Sequence, residues 1–342
     1  MSGGVDSSVA AVLLKEKGFD VIGVNLKLWD SGRLGDEEAD ARGVCKSINT
    51  PFHVFDLRED FKKKVVEPFV NEYGRGRTPN PCVVCNRQIK FGLLLEEAKR
   101  LGADYLATGH YVRIMVDNHG DPHLLKGRDD EKDQSYVLGH LTGDVLKKVI
   151  FPVGEYTKSE IRGIAERHHL PVSQKRESMD ICFIPDHDHA GFIARHFPQK
   201  KFGEGFFVDQ DNRVLGKHQG VDRYTIGQRK KLGISSVQRL YVAALRPETN
   251  EVVLAAEECL YDKGVIGEDF HFLYAPKTSE CGVKLRYQKN EIPAMISGYD
   301  EKKAEITLFF REKARAVTPG QALVLYDGDE VIGGGWIRQA VK

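Results

Sequence analysis

No apolar run in the sequence reaches the length that a bilayer crossing needs, and its start carries no charged-then-apolar leader pattern. Neither a membrane-spanning nor a secreted protein is expected, and the cytoplasm, which keeps thiols reduced, is the expected compartment. Cysteine is scarce: Cys45, Cys82, Cys85, Cys182, Cys259 and Cys281 are the six in 342 residues, too few for a secreted disulfide framework. Neither charge is in excess, since Lys+Arg and Asp+Glu both number 50. That balance leaves nucleic-acid binding open, because a basic face can sit on a neutral chain. Internal repeats and low-complexity tracts are also lacking. What is present is an ordinary globular mixture, 41% hydrophobic and 29% charged, on a chain long enough for two or three domains.

The chain opens with Met1-Ser2-Gly3-Gly4-Val5-Asp6-Ser7-Ser8 and continues into Val9-Ala10-Ala11-Val12-Leu13-Leu14-Lys15-Glu16-Lys17, stopped by Gly18. The second segment has helix formers and apolar residues at helical spacing, so the glycines and hydroxyls fall where a helix begins. Paired glycines allow close backbone approach to an anion, and a helix start offers unpaired N–H groups and the positive dipole end. The stretch reads as a phosphate cradle. An ordinary glycine turn with a serine cap is the plainer alternative. A Walker loop is excluded, because no Gly-Lys-Ser/Thr follows. The SGGxDSS string resembles the pyrophosphate loop (PP-loop) of enzymes that split ATP into AMP and pyrophosphate. Such a loop should follow a buried strand, yet only Met1 precedes it, which suggests that the first strand is missing from the sequence.

Residues 21–29 read as a buried strand, a polar loop through Asp36 leads to a helix ending near Ile48, and 52–57 is a second strand. Then come a helix over 61–73, a loop over 74–86, a helix over 91–101 and a strand over 104–111. This alternation predicts an α/β domain built on a doubly wound parallel sheet, with ligands at the carboxyl ends of its strands. Leu26, Gly109 and His110 lie at or near such ends. A hairpin with Asn118-His119-Gly120-Asp121 at its tip is expected over 112–125, and helices over 135–141 and 159–168. Past 197–201 the pattern turns to short β-like runs. They occur at 205–208, 214–216, 240–245 and 252–255, then at 284–287, 305–310, 322–326 and 331–337. Two small β-rich domains are therefore expected after the catalytic one, giving 1–199, 200–262 and 263–342.

Cys82 and Cys85 are the one close cysteine pair, in a proline-braced stretch, Gly76-Arg77-Thr78-Pro79-Asn80-Pro81-Cys82-Val83-Val84-Cys85-Asn86. Flanking Arg75, Arg77, Arg87 and Lys90 are expected to favour thiolates and attract an anion. Cys45 reads as a helix-core residue, and Cys259 and Cys281 as small hydrophobes of the β-rich part. Taken alone, Cys182 reads as a buried thiol and the pair as half of a zinc site. A thioredoxin-type redox pair is disfavoured, because the pair sits in a proline-rich loop and not at a strand-to-helix turn.

With these residues the chain resembles the tRNA-specific 2-thiouridylases over nearly its whole length. The carrying motifs are 1–8, 77–86, 103–112, KGRDDEKDQSY at 126–136, FPVGE at 151–155, 180–184, GKHQG at 216–220, YTIGQRKKLGI at 224–234 and VTPGQ at 317–321. The resemblance implies a PP-loop domain (adenine nucleotide alpha hydrolase-like), a small central β-rich domain and a C-terminal β-barrel. It implies ATP, held with Mg²⁺ by residues 1–8, Leu26 and Gly109, and an adenylated uracil whose C2 oxygen leaves as AMP. Cys182 would carry a persulfide, and Cys85 would attack the adenylated base or resolve the persulfide. Asn80 and Pro81 match the loop facing the target base, which must leave its stack to be reached. His110, Lys132, Asp133 and Gln134 match positions near the tRNA or the active site, and Arg286, Tyr287 and Gln321 match C-terminal tRNA contacts. The expected tRNAs are those for Glu, Gln and Lys, thiolated at the wobble uridine, with sulfur arriving from a donor or relay protein.

One position departs from the family. Cys82 stands where many members have Asp, so an expected carboxylate is absent and a third thiol is near the other two. Related sulfur-inserting PP-loop enzymes hold a 4Fe–4S cluster on three thiolates, so Cys82, Cys85 and Cys182 are also a candidate metal site. The basic run Arg229-Lys230-Lys231 and Lys200-Lys201 would follow the tRNA backbone. Another PP-loop ligase, a 2-thiocytidine enzyme and a zinc-containing RNA-binding protein are the competing readings. The first lacks a visible ammonia source, the second should lack GKHQG and YTIGQRK, and the intact SGGVDSS loop argues against the third.

Overall fold

The computed structural model describes residues 1–30, 37–175, 181–200 and 202–342. The loop through Asp36, the segment Ser178-Met179-Asp180 and Lys201, all read in the sequence, lie outside the described residues. The chain forms two compact units, one of residues 1–65, 82–185 and 328–331, the other of 66–81, 186–327 and 332–342.

In the first unit, the helix Val5–Glu16 starts directly after Gly4 and is apolar nearly all round, with Val5 and every residue from Ser8 to Leu14 buried. A helix of that kind belongs in a core. Val9, Val12 and Leu13 share one apolar cluster with Val44 of the helix Glu37–Ser47 and with Ile161, Ile164 and Ala165 of the helix Lys158–Arg167. Truncating Ile161, which has no exposure, falls in the class of core deletions that costs about 2–5 kcal/mol. Parallel pairs join Gly23–Lys27 to Phe52–Asp56 and Leu106–Ala107 to Val149–Ile150. The strand expected over 104–111 is thus only two residues long, because the chain leaves the sheet at Thr108 to form the turn described below. The hairpin is present, with strands Val112–Val116 and Pro122–Lys126 and Gly120 at a positive φ of 86° in its tip.

The expected loop over 74–86 requires correction. Helix begins at Pro81 and runs through Cys85, continues as wider π turns over Asn86–Leu93, and returns to α geometry over Leu94–Arg100. Proline was read as a loop residue, but at the first helical position its missing N–H would have no partner anyway and its fixed φ suits the helix. The Cys82–Cys85 pair consequently sits in a helical first turn and not in a loop; the element before it is the helix Glu67–Gly74, so it is still not at a strand-to-helix turn.

The second unit begins with the helix Glu67–Gly74, whose Tyr73 stacks on His189 at 4.5 Å between ring centres. A four-stranded sheet follows, in the order Val214–His218, Gly205–Val208, Glu251–Ala255, Tyr241–Arg246. Phe207, Val221, Tyr224, Val242, Val252 and Leu254 form its core, where YTIGQRK contributes Tyr224 and GKHQG contributes His218, edge-on to Phe207 and Tyr224. Next comes a closed six-stranded barrel. Tyr261–Phe272 pairs antiparallel with Glu305–Arg315 on one side and with the last strand, Glu330–Val341, on the other. Closure leaves no free sheet edge. Cys281 lies in the barrel core, as Cys45 does in its helix. The strand Tyr261–Phe272 escaped the sequence reading because Gly264 and Gly267 break its apolar pattern, although both pack against the neighbouring strand.

Candidate nucleotide and thiol site

Gly4 is extended (φ −104°, ψ 167°) and its carbonyl accepts from the hydroxyls of Ser8 at 2.8 Å and Ser7 at 3.2 Å. Ser7 Oγ in turn accepts from the Ser2 amide at 3.2 Å. The Ser7 and Ser8 hydroxyls therefore brace the turn itself. Gly3 has φ +67°, and a Cβ there would lie 2.6 Å from the Glu37 carbonyl oxygen, so both conformation and space demand glycine. Gly109 presses on the loop from the other side: its Cβ would meet the backbone of Asp6 and Ser7 at 2.7 Å. The turn that ends the strand Leu106–Ala107 is thereby fixed against the start of the first helix, and Leu26 lies at the carboxyl end of its own strand.

The sequence reading missed the side chains that hold this loop. Asp6 Oδ1 accepts from Lys158 Nζ and from Tyr111 OH, both at 2.7 Å. Lys175 Nζ donates to the Gly3 carbonyl at 3.0 Å and pairs with Asp40 at 2.5 Å. A signal for Lys158 existed: Thr157 and Glu160 form a capping box, which makes Lys158 the first residue of its helix. Lys175 and Asp40 carry no sequence signal.

In the same unit, Cys82 and Cys85 are three residues apart, the spacing that makes helical neighbours. Cys182 is placed by Phe183, a buried ring against Phe61 (5.6 Å, edge-on) and Trp29 (6.1 Å). Cys82 and Cys182 reach solvent while Cys85 is buried. At each thiol the loss of water outweighs charge. It pushes the Cys82 thiol up, Cys85 to about 11 and Cys182 to about 12, with Cys85 and Cys82 raising Cys182 further. The shift runs against the thiolates expected from the sequence. The flanking cations do not produce them because Arg75 pairs with Glu72 at 3.0 Å and Arg77 pairs with Glu72 and Glu268 at 2.8 and 2.5 Å. Lys90 does lower each thiol, but by less than burial raises it. Among the described residues no three His, Cys, Asp or Glu side chains are grouped to hold a metal ion.

His110 is buried beside Phe91 and Phe151, with its Nδ1 2.8 Å from Thr108 Oγ1. Burial holds its pKa well below 6.5, and Lys90 lowers it further, so the imidazole is neutral. Asp133, also buried, accepts from the amides of Gly127 and Ser135 at 3.1 and 3.0 Å and from the Ser135 hydroxyl at 2.8 Å. Gln134 brackets Tyr111, accepting from its amide at 2.9 Å and donating its own to the Tyr111 carbonyl at 3.0 Å. These two expected contact residues thus stabilise the turn behind the loop, and Lys132 is half-exposed beside them.

In the second unit, Gln321 Nε2 donates to the Thr78 carbonyl at 2.8 Å, and the Thr78 amide donates to Pro319 at 2.9 Å. These bonds secure the stretch that leads to Asn80 and Pro81. Arg286 donates to the Arg315 carbonyl at 3.1 Å, Tyr287 is 55% exposed, and Arg229, Lys230 and Lys231 are exposed.

A phosphate-type cradle at a helix start, in one compact unit with three mutually interacting thiols, defines a nucleotide-using α/β enzyme. Residues 1–186 match the family described as "tRNA methyl transferase HUP domain", 190–256 its "PRC-barrel domain" and 262–337 the "Aminomethyltransferase beta-barrel domain". Among curated relatives, the tRNA-specific 2-thiouridylase MnmA of Carboxydothermus hydrogenoformans is 44% identical, over 99% of this chain and 96% of its own length. That of Geotalea uraniireducens is 46% identical over 100% and 94%, and MnmA 1 of Caldanaerobacter subterraneus is 46% identical over 100% and 97%. The chain belongs to the tRNA-specific 2-thiouridylase family.

Proposed function

We propose that this protein is an ATP-dependent sulfurtransferase that replaces the C2 oxygen of a tRNA uridine, the wobble uridine of Glu, Gln and Lys acceptors, by sulfur. The observation that carries the reading is the presence of the anion cradle at Gly3–Ser8 and the thiols Cys82, Cys85 and Cys182 in one compact unit. Methyl transfer, which the description of the matched family names, has no need of such a cradle; the name of the relatives, sulfur insertion, uses both halves.

Met1 to Ser8, Leu26 and Gly109 bind ATP, the glycines admitting the phosphates to the backbone. Asp6 is the carboxylate suited to hold Mg²⁺, which when bound neutralises phosphate charge. The uracil O2 attacks the α-phosphorus and pyrophosphate leaves. Cys182, charged as a persulfide by a sulfur-donor protein, presents its outer sulfur to C2; the C2–S bond forms as the C2–O bond breaks and AMP departs. Cys85 then attacks the inner sulfur of Cys182. The S–S bond to the base breaks, thiouridine is released, and a Cys85–Cys182 disulfide remains for an external thiol reductant. Neutral His110 orients groups by hydrogen bonding and carries no charge. Asn80, Pro81 and Cys82 face the flipped base, while Lys132, Asp133, Gln134, Arg286, Tyr287 and Gln321 form or brace the tRNA surface. On this reading the domains span 1–199, 200–262 and 263–342, and the enzyme works in the cytoplasm; no helix among the described residues is long and apolar enough to cross a membrane.

Incubating the protein with unmodified tRNA, ATP, Mg²⁺ and a sulfur source anaerobically, then analysing nucleosides, should yield 2-thiouridine in an ATP-dependent manner; unmodified tRNA throughout would refute the proposal. A second sulfur route, a 4Fe–4S cluster on Cys82, Cys85 and Cys182, is supported by the cysteine at position 82. The side chains as placed are not grouped as ligands, and no step is derived through a cluster. Iron and acid-labile sulfide in anaerobically purified protein, with visible absorption, would select it; a colourless, fully active protein would exclude it.

A further inference from the structure

Among the described residues, two lysine side chains, Lys175 and Lys158, bond the loop. Its Ser7 and Ser8 hydroxyls donate to the Gly4 carbonyl, and the ammonium of Lys175 lies on the Gly3 carbonyl and Asp40. Lys158 is differently disposed. Its ammonium meets Asp6, a side chain of the loop, and its side chain is only 12% exposed. The ring of Tyr111 lies 5.8 Å from Nζ, and the Tyr111 hydroxyl bonds the same Asp6 oxygen. The root of Lys158 is immobile: its amide donates to Asp129 at 2.8 Å and the Thr157–Glu160 box fixes its helix. Only the flexible stem and the charged tip are free to change partner, and a lysine is a point charge suited to that.

We infer that Lys158 is a nucleotide-binding residue, which rests on Asp6 until a polyphosphate enters and then transfers its ammonium to a phosphate oxygen. This deepens the ATP reading above and rests on it. Asp6 keeps the Tyr111 hydroxyl as a partner after the transfer, so the carboxylate is not abandoned when the lysine leaves. No proton moves and no covalent bond changes; one ion pair replaces another. A buried ammonium left with no anion would be strongly disfavoured, which explains why the waiting state needs Asp6 as a placeholder.

The test uses the full chain without tRNA and measures binding of ATP with Mg²⁺, and of inorganic pyrophosphate with Mg²⁺, by titration calorimetry, alongside thermal unfolding. Lys158→Gln should weaken both ligands by at least tenfold, and Lys158→Arg should stay within a few-fold of wild type. The double variant Asp6→Asn/Lys158→Gln should bind at least tenfold more weakly than Asp6→Asn alone, a reference that already lacks the carboxylate assigned to Mg²⁺. Should Lys158→Gln fail to fold, that pair of variants carries the measurement. Wild-type affinity in Lys158→Gln overturns the inference. So does a double variant that binds as tightly as Asp6→Asn, since Lys158 would then merely neutralise Asp6. A wild-type protein that binds neither ligand removes the ATP reading and this inference with it, whereas a binding wild type with an unaffected Lys158→Gln removes the inference alone.

Discussion

Around Asp6 the partners are explicit: an ammonium and a phenol on one carboxylate oxygen, and a second lysine on the Gly3 carbonyl. Around Cys85 and Cys182 the dominant influence is the loss of water, and the thiols stay protonated. The first region is a preset charge pattern awaiting an anion. The second is chemically silent until something changes its surroundings, such as arrival of a persulfide sulfur, which leaves the attacking atom outside the protein's own burial. An exposed run of thiolates would be open to oxidation in every idle enzyme. Thiols held protonated are protected at rest even where, as at Cys82 and Cys182, they reach solvent, and their reactivity waits for the adenylated base.

Three experiments would break or sharpen this contrast. The largest effect is expected from Cys85→Ala, which should lower thiolation by at least about a thousandfold, as loss of a reacting nucleophile does, while ATP binding stays at the wild-type level. Retained thiolation, measured by nucleoside analysis, would take Cys85 out of the mechanism. Alkylation kinetics come next. At pH 7 iodoacetamide should label Cys182 slower than free cysteine by about one to three orders of magnitude, with the rate rising tenfold per pH unit towards pH 11, since only the thiolate reacts. The linked stability follows the same sign: the folded state holds these protons more tightly, so stability is full below the ordinary thiol pKa and falls as pH rises from about 9. A rate plateau near pH 7 would mean thiolates and would reverse the contrast. The smallest effect is expected from Gly109→Ala, whose Cβ would sit 2.7 Å from the Asp6–Ser7 backbone. Displacing the loop should weaken ATP binding by about ten- to a hundredfold, 1–3 kcal/mol, with Cys182 labelling unchanged. An unaffected ATP affinity would show that the loop tolerates being pushed.

What could be seen beforehand divides along the same line. The glycines, the helix from Val5 and the alternation of strands and helices are written in neighbouring residues, so local rules reached them. Tyr111 and Lys158 are 105 and 152 residues from Asp6, and nothing local joins them. The thiol chemistry was misread for a related reason: Arg77 is next to the cysteines in sequence, yet its guanidinium is held by Glu268, 191 residues away. Proximity in the chain suggested a free positive field that the fold had already neutralised. Pro81 misled in the opposite direction, because the residue that excludes helix interiors also begins helices.

The π turns at Asn86–Leu93 have a consequence for how the thiols may vary. A π turn holds an additional residue in nearly the same axial length, so it acts as a phase shifter between the two α segments it joins. Behind it, Leu94, Leu95 and Ala98 lock one face of the helix into the core; ahead of it stand Cys82 and Cys85. Removing a single residue from 86–93 would draw a wide turn back towards α geometry and change the angle at which the cysteines stand to that locked face, by up to the roughly 100° that one α-helical residue spans. The aim of the thiols is thus encoded as an angle, several residues away from either sulfur.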